Sequence, residues 1–197
     1  MRFILASGSA SRKRILQAAG VPFTAVPADI DENRRKDALL AGGTELDRVA
    51  VALAEAKALH VSRAWPGALV LGADQALLFE DDLVSKCADL AAARVLLSRL
   101  RGKAHRLTSA LALAKDGIVR WRHTATSVLH MRDFSDAFLD AYLSTEGEGI
   151  LGCVGCYKLE GLGSQLFEAV EGDYFSILGL PLQPLLAELR RQGVIAT

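Results

Sequence analysis

The sequence predicts an α/β fold, with a mixed central sheet flanked by helices. Three observations carry this prediction. Strand-like and helix-like segments alternate along most of the chain, the order that builds a sheet through crossover helices. The runs "RFILA" and "ALVLGADQALLF" stay apolar with little polar alternation, as in strands covered on both faces. The tripeptide "KDG" joins two further strand-like runs. It is a hairpin signal that adds antiparallel pairing.

Each element has its local reason. "RFILA" opens as a buried strand, and "SRKRILQAAG" follows as a helix. Ser9 or Ser11 serves as its cap, and Gly20 sits where a C′ glycine belongs. "PFTAVPADIDE" reads as extended, because Pro22 and Pro27 keep it out of a helix. The longest helix runs from Thr44 to about Arg63. Thr44 and Asp47 have the spacing of a capping box, and Leu46, Val49, Leu53, Ala56 and His60 form one stripe. "ALVLGADQALLF" is the next strand, and Asp89 to Leu100 a helix closed by Gly102. "HRLTSALALAKDGIVRWRHTATSVLHM" gives the hairpin, and Ser135 opens a helix through "DAFLDAYLS". The glycine-punctuated "GCVGCYKLEGLGSQLFEAVEGDY" is expected to hold short strands. "PLQPLLAELRRQG" closes the chain as a helix, with Pro181 or Pro184 in its first turn and Gly193 after it.

Composition narrows the function. The 23 cationic and 23 anionic side chains cancel, which excludes a nucleic-acid or anionic-membrane binder driven by bulk charge. No apolar stretch reaches the ~18–20 residues of a membrane span. "MRFILAS" runs into a strand without a signal-peptide pattern, so a cytoplasmic location is expected. The 197 residues suit one large domain or two small lobes sharing a core. Of the cysteines Cys87, Cys153 and Cys156, the last two form one "CVGC" pair. A single pair in a glycine-rich segment reads as packing rather than zinc or redox chemistry.

Three groups of residues carry chemistry. In "LASGSASRKR" a strand ends in serines and glycine, and a helix begins with Arg12, Lys13 and Arg14. Free N–H groups at a helix start favour an anion, and hydroxyls and guanidinium suit phosphate. The alternative is a capped helix with a solvated basic turn. The second group is acidic: Asp29, Asp31 and Glu32 in "PADIDE", and Asp74 in "GADQ". Carboxylates at two strand ends can hold a hard divalent cation or orient a water; singly, each reads as a loop charge. The third is cationic. Lys57 lies in the long helix and Lys86 follows "FEDDLVS". Lys57 either snorkels or helps Arg12 and Lys86 neutralise a triphosphate. His60, His105, His123 and His130 show no ligand spacing and read as structural.

These motifs, in this order, resemble the Maf family of nucleoside triphosphate pyrophosphatases, historically linked to inhibition of septum formation. The resemblance runs nearly end to end, as a single domain of two lobes sharing one cleft over 1–197. It rests on "LASGSASRKRIL", "DIDE", "LAEAKA", "GADQ", Lys86, "VGCYKLEG" and "EGDYFSILGLPL". It implies an inosine-triphosphatase-like fold, cleavage between the α and β phosphates of a nucleoside triphosphate, a divalent metal (Mg²⁺ or Mn²⁺), and in many members a homodimer. It implies Asp74 as proton acceptor, Ser7, Arg12 and Lys86 on the phosphates, and Lys57 and Glu32 as further catalytic positions. No metal ligands follow from it. Cys87 stands where the family has proline, Ser11 where it has arginine, and Ser109 where "TG" has glycine.

Ser11, Gln75 and Glu160 bear on the base. "GADQ" and "KLEG" resemble the branch acting on 7-methyl-GTP rather than the one acting on dTTP and UTP, whose segments read GADT and GIQG. Guanine presents two donors, N1–H and its amine, and a carboxylate accepts both. N7 methylation adds positive charge that Glu160 also favours. A dTTP/UTP enzyme of the same family is the alternative; a nucleotide-binding division regulator without catalysis is the alternative of another class. A Rossmann cofactor site is set aside for want of GxGxxG.

Overall fold

The computed structural model describes residues 2–197. The chain divides into two compact units. Met1–Gln75, Thr108–Ala125 and Asp173–Thr197 form the first, and Ala76–Leu107 with Thr126–Gly172 the second.

In the first unit, β1 (Phe3–Leu5) pairs in parallel with β2 (Thr24–Ala25) and with the start of β3 (Leu69–Phe79). Phe3 lies opposite Leu69 and Ile4 opposite Thr24. The hairpin strands are β5 (Ala104–Lys115) and β6 (Ile118–Met131). Asp116 and Gly117 between them both take positive φ, 52° and 74°, the requirement of a type I′ turn. Parallel and antiparallel pairing coexist, as the sequence predicts.

Helices cover both faces of this sheet. α1 (Ala10–Ala18) is capped by Ser9, whose side chain accepts from Arg12 N, and ends at Gly20 with φ +67°. α7 (Leu182–Arg191) joins it: Leu16, Leu71, Leu113, Leu185 and Leu189 share one core cluster. On the opposite face Ile4, Val70 and Val61 of α3 (Leu46–Ala64) share another. α3 starts after Glu45, which makes no side-chain cap bond, so Thr44 does not cap it. Its buried stripe is Val49, Ala50, Leu53, Ala54, Lys57, Ala58, Val61 and Ser62; of the expected stripe Val49 and Leu53 are buried, Leu46 and Ala56 half-buried, and His60 is exposed. Gly72 sets its distance from β3. A Cβ there would stand 2.0 Å from Ala54 O and 2.6 Å from Ala58 N.

Two helices escape the sequence pattern. α2 (Glu32–Ala41) has no buried residue, so it shows no apolar stripe to read. Asp31 caps it by accepting from Arg34 N at 2.9 Å. α6 (Tyr174–Ile177) is one turn capped by Asp173.

In the second unit β4 (Asp82–Val84) runs antiparallel to the end of β3, and β7 (Phe167–Glu171) antiparallel to β6. α4 (Leu90–Leu100) and α5 (Asp136–Glu146) start at Asp89 and Ser135, whose side chains accept from Ala92 N and Phe138 N. The glycine-rich segment expected to hold short strands forms turns and a 3₁₀ piece at Leu162–Leu166, with β7 its strand.

His105 is structural, as its spacing suggested. Its Nε2 lies 2.7 Å from Tyr157 Oη in a buried pair, and Tyr157 packs edge-on against Phe167. Burial, then the charge of His130, pushes the His105 pKa down to about 4. The folded value lies below the unfolded one, so the neutral ring's contribution is complete above about pH 6.5. It is lost as pH falls towards 4, amounting to about 3 kcal/mol. Urea unfolding at pH 7 and pH 4.5 should show a smaller acid loss in His105→Gln than in the parent. Parallel losses would remove His105 from the account.

Candidate active site

The stripe of α3 that packs on β3 contains one charged residue, Lys57. Its side chain is 8% exposed, so it does not snorkel. Its Nζ lies 2.7 Å from Asp74 Oδ1 and 2.7 Å from Glu32 Oε2. A buried ammonium is tolerated only when paired, and here two carboxylates share it. Asp74 comes from the middle of β3 and Glu32 from the first residue of α2. The close approach at Gly72, two residues before Asp74, lets the lysine reach.

Asp74 is buried. Desolvation raises its pKa above the ordinary carboxylate value, against the lowering pull of Lys57 and Arg12, while Glu32 adds to the rise. A carboxylate held this way gains basicity yet keeps cationic partners that let it ionise.

Arg12, on α1, spans three segments. Its Nε donates to Gly179 O at 2.9 Å, and Nη1 to Ser7 Oγ at 3.1 Å and Ala73 O at 3.0 Å. Burial lowers its pKa, opposed by Asp74 and then Glu32, so the three charges share one neighbourhood. These bonds spend Nε and Nη1 on the protein and leave the two N–H groups of Nη2 out of them. Ser7 is buried and its Oγ also accepts from Ser9 N at 3.2 Å. Ser11 sits half-buried in the first turn of α1.

Gln75 follows Asp74, and strand alternation sends it to the other side of β3. Gly72 and Asp74 face α3, while Leu69, Leu71 and Ala73 face α1 and α7 with Gln75. The Gln75 amide nitrogen donates to Ser109 Oγ at 2.8 Å, Ile177 O at 2.9 Å and Ser176 O at 3.2 Å. Ser109 stood out in the sequence only as a departure from the family's glycine, and Ser176 only as part of "EGDYFSILGLPL"; neither carried a sign of these bonds.

Of the four carboxylates read from the sequence, Glu32 alone joins Asp74. Asp31 is committed to capping α2, and Asp29 is exposed. Among the described residues no group of three or more His, Cys, Asp or Glu forms a metal cage. The oxygens of Asp74 and the half-exposed Glu32 do fit a hard divalent cation that takes one or two carboxylates and completes its shell from phosphate and water.

Lys86 and Glu160 belong to the second unit and are exposed there. Both act on Cys153, whose pKa rises through burial and then Glu160, with Lys158 and Lys86 opposing. Burial and a hydrogen bond with Cys87 hold Cys156 up at about 12. All three cysteines are free thiols. Protonated thiols are poor metal ligands and poor nucleophiles, in keeping with the packing reading of "CVGC".

Known proteins resemble this chain over nearly its whole length. A family model described as Maf-like protein matches residues 2–192. A nucleoside triphosphate pyrophosphatase of Granulibacter bethesdensis is 48% identical over 195 residues, covering 99% of each chain. A 7-methyl-GTP pyrophosphatase of Mesorhizobium japonicum is 49% identical over 194 residues, covering 98% of each. Among solved structures, a dITP/XTP pyrophosphatase of Mycobacterium abscessus aligns with TM-score 0.45 and 13% identity, over 100% of this chain and 98% of that one. No helix among the described residues is long and apolar enough to cross a membrane.

Proposed function

We propose a function from one premise: this chain belongs to the Maf-like protein family. It is a nucleoside triphosphate pyrophosphatase that hydrolyses the α–β anhydride to a nucleoside monophosphate and pyrophosphate. The observation that carries the reading is the buried Lys57–Asp74 pair with Glu32 joined to it from a half-exposed position, and Asp74 raised in basicity. Two close relatives bear the names of such enzymes.

In this mechanism Asp74 takes a proton from the attacking water. Lys57 holds Oδ1 at 2.7 Å, and Oδ2 is the oxygen assigned to the water. The water oxygen bonds to the α-phosphorus, and the bond from that phosphorus to the bridging oxygen breaks. Pyrophosphate departs with the electron pair. Lys57 stays charged between the carboxylates, which fixes the base and keeps Asp74 ionised. Ser7 and the Nη2 edge of Arg12 are assigned to phosphate oxygens, as is Lys86. A divalent cation, Mg²⁺ or Mn²⁺, held by Asp74 or Glu32, supplies charge neutralisation on the phosphates when bound.

The base assigned is 7-methylguanine or a similarly modified purine, with Glu160 accepting from N1–H and the amine. The relative from Mesorhizobium japonicum bears that substrate in its name. The working location is the cytoplasm, where triphosphate pools lie. Pyrophosphate release with Mg²⁺ or Mn²⁺, measured across 7-methyl-GTP, GTP, dTTP, UTP, CTP and ITP, tests this. Fastest turnover of 7-methyl-GTP is expected. Preference for dTTP and UTP would keep the reaction and discard the base. Binding without turnover of any would leave a regulator.

A further inference from the structure

The second unit holds three free thiols, Cys87, Cys153 and Cys156. Two of them touch: Cys156 is hydrogen-bonded to both the side chain and the backbone of Cys87. The Cys153 thiol acts on Cys156 through charge instead. The touching partners differ in freedom. Cys156 is fully buried, with φ +55°. Its N–H donates to Cys153 O at 3.1 Å, and its carbonyl accepts from Tyr142 Oη at 3.1 Å, so its backbone is held on both sides. Cys87 is half-buried and lies between the end of β4 at Val84 and the α4 cap at Asp89, directly after the exposed Lys86. It stands where the family has proline, so the pairing does not follow from the family pattern.

We propose that Cys87 and Cys156 are a disulfide switch: oxidation joins their sulfurs and draws the Lys86 loop towards the buried segment, and reduction releases it. A small disulfide, oxidised glutathione, is the oxidant. The Cys87 thiolate attacks one of its sulfurs, the glutathione S–S bond breaks, and one glutathione thiolate leaves with the electron pair and takes up a proton. Cys156 then loses its proton to water, and its sulfur attacks Cys87 Sγ. The mixed disulfide breaks, and the second glutathione leaves as thiolate and is protonated. Two protein thiols are oxidised, and one glutathione disulfide is reduced to two thiols. The first step promotes the second. Burial, then the hydrogen bond and charge of Cys87, hold the Cys156 thiol up at about 12. Once Cys87 is capped its share is gone, and the Cys156 thiolate forms more readily. Because Cys156 is anchored, closure moves the loop. A covalent S–S bond is shorter than a hydrogen-bonded approach of two thiols, and Lys86 adjoins the residue that is pulled. The loss of turnover rests on the pyrophosphatase reading, which assigns Lys86 to a phosphate oxygen; the bridge rests on the thiol pair alone.

Two experiments separate these. Protein equilibrated with oxidised glutathione, alkylated and cleaved after Lys and Arg, should show residues 87–94 joined to residues 133–158, with one alkylated thiol in place of three. The link should persist in Cys153→Ser, which leaves Cys156 as the one cysteine of 133–158. A bridge within 133–158, a lasting glutathione adduct on Cys87, or three alkylated thiols would overturn the switch whether or not any triphosphate is cleaved. The bridged protein should release pyrophosphate with kcat/KM lowered at least about tenfold, as a misplacement near 1 Å does, and dithiothreitol should restore it. Cys87→Ser should match the reduced parent and ignore the oxidant. A bridged protein with unchanged kcat/KM would overturn the coupling to Lys86. Absence of turnover in the reduced protein, with the bridge still forming, would instead strike the pyrophosphatase reading.

Discussion

Asp74→Asn is expected to lower kcat for triphosphate cleavage by roughly 10²–10⁴-fold, the contribution of a positioned general base. Asparagine keeps the shape and an oxygen for Lys57 to donate to at the 2.7 Å site, but it cannot take a proton. The fold should survive, and its response to pH should change with a definite sign. The Asp74 pKa is raised in the folded state, chiefly by desolvation. The stability tied to its protonated form is therefore complete below the unfolded value, near pH 4, and lost as pH rises through the folded value. Asparagine has no such loss. Urea unfolding at pH 4 and pH 8 should thus show the variant gaining on the parent as pH rises, while pyrophosphate release collapses at both. Curves that stay parallel would mean the carboxylate is not strained by burial. Full activity in the variant would remove Asp74 from the proton-accepting role.

Gly72→Ala is the second large effect. The added Cβ would meet Ala54 O at 2.0 Å, Ala58 N at 2.6 Å and Ala58 Cβ at 2.9 Å. Two of these are helix backbone atoms, which cannot rotate away as a flexible side-chain tip would. α3 must move off β3 along the stripe that buries Ala54, Ala58 and Val61. A cost of about 3 kcal/mol, at the upper end for overpacking, follows. For a chain of this length that lowers Tm by about 10 °C. Activity should fall further than stability, because Lys57 rides on the displaced turn and its separations from Asp74 and Glu32 open together. Calorimetry with pyrophosphate assays well below the new Tm separates the two losses. An unshifted Tm would mean the helix and strand are not held at this spacing.

The elements that were legible share a property: their signals are local and strong. β3 is apolar on both faces and is buried on both. The β5–β6 turn is Asp116-Gly117 because only residues tolerant of positive φ close that hairpin. Ser9, Asp89 and Ser135 cap helices with side chains that accept backbone N–H groups. α2 was missed for the converse reason. It buries nothing, and helices are read from the stripe they bury. The buried stripe of α3 keeps the expected Val49 and Leu53 and takes in Ala54 and Ala58 beside them, where the close approach at Gly72 admits only small side chains.

The candidate site divides in the same way. Motif order alone picked out Glu32, Lys57 and Asp74, widely spaced in the chain, and the tertiary structure joined them at one ammonium. It also took Asp31 out of the acidic group by using it as a cap, turned much of Arg12 inward as a clamp, and set Gln75 on the face opposite Asp74. By itself the sequence determined the fold class, the helix caps, the hairpin and the residue types able to handle a triphosphate, since these depend on neighbours a few positions away. Which carboxylate shares the lysine and which groups hold the Gln75 amide nitrogen were decided only in three dimensions. Burial and hydrogen-bond partnership belong to the packed chain and leave no mark on any single stretch of it.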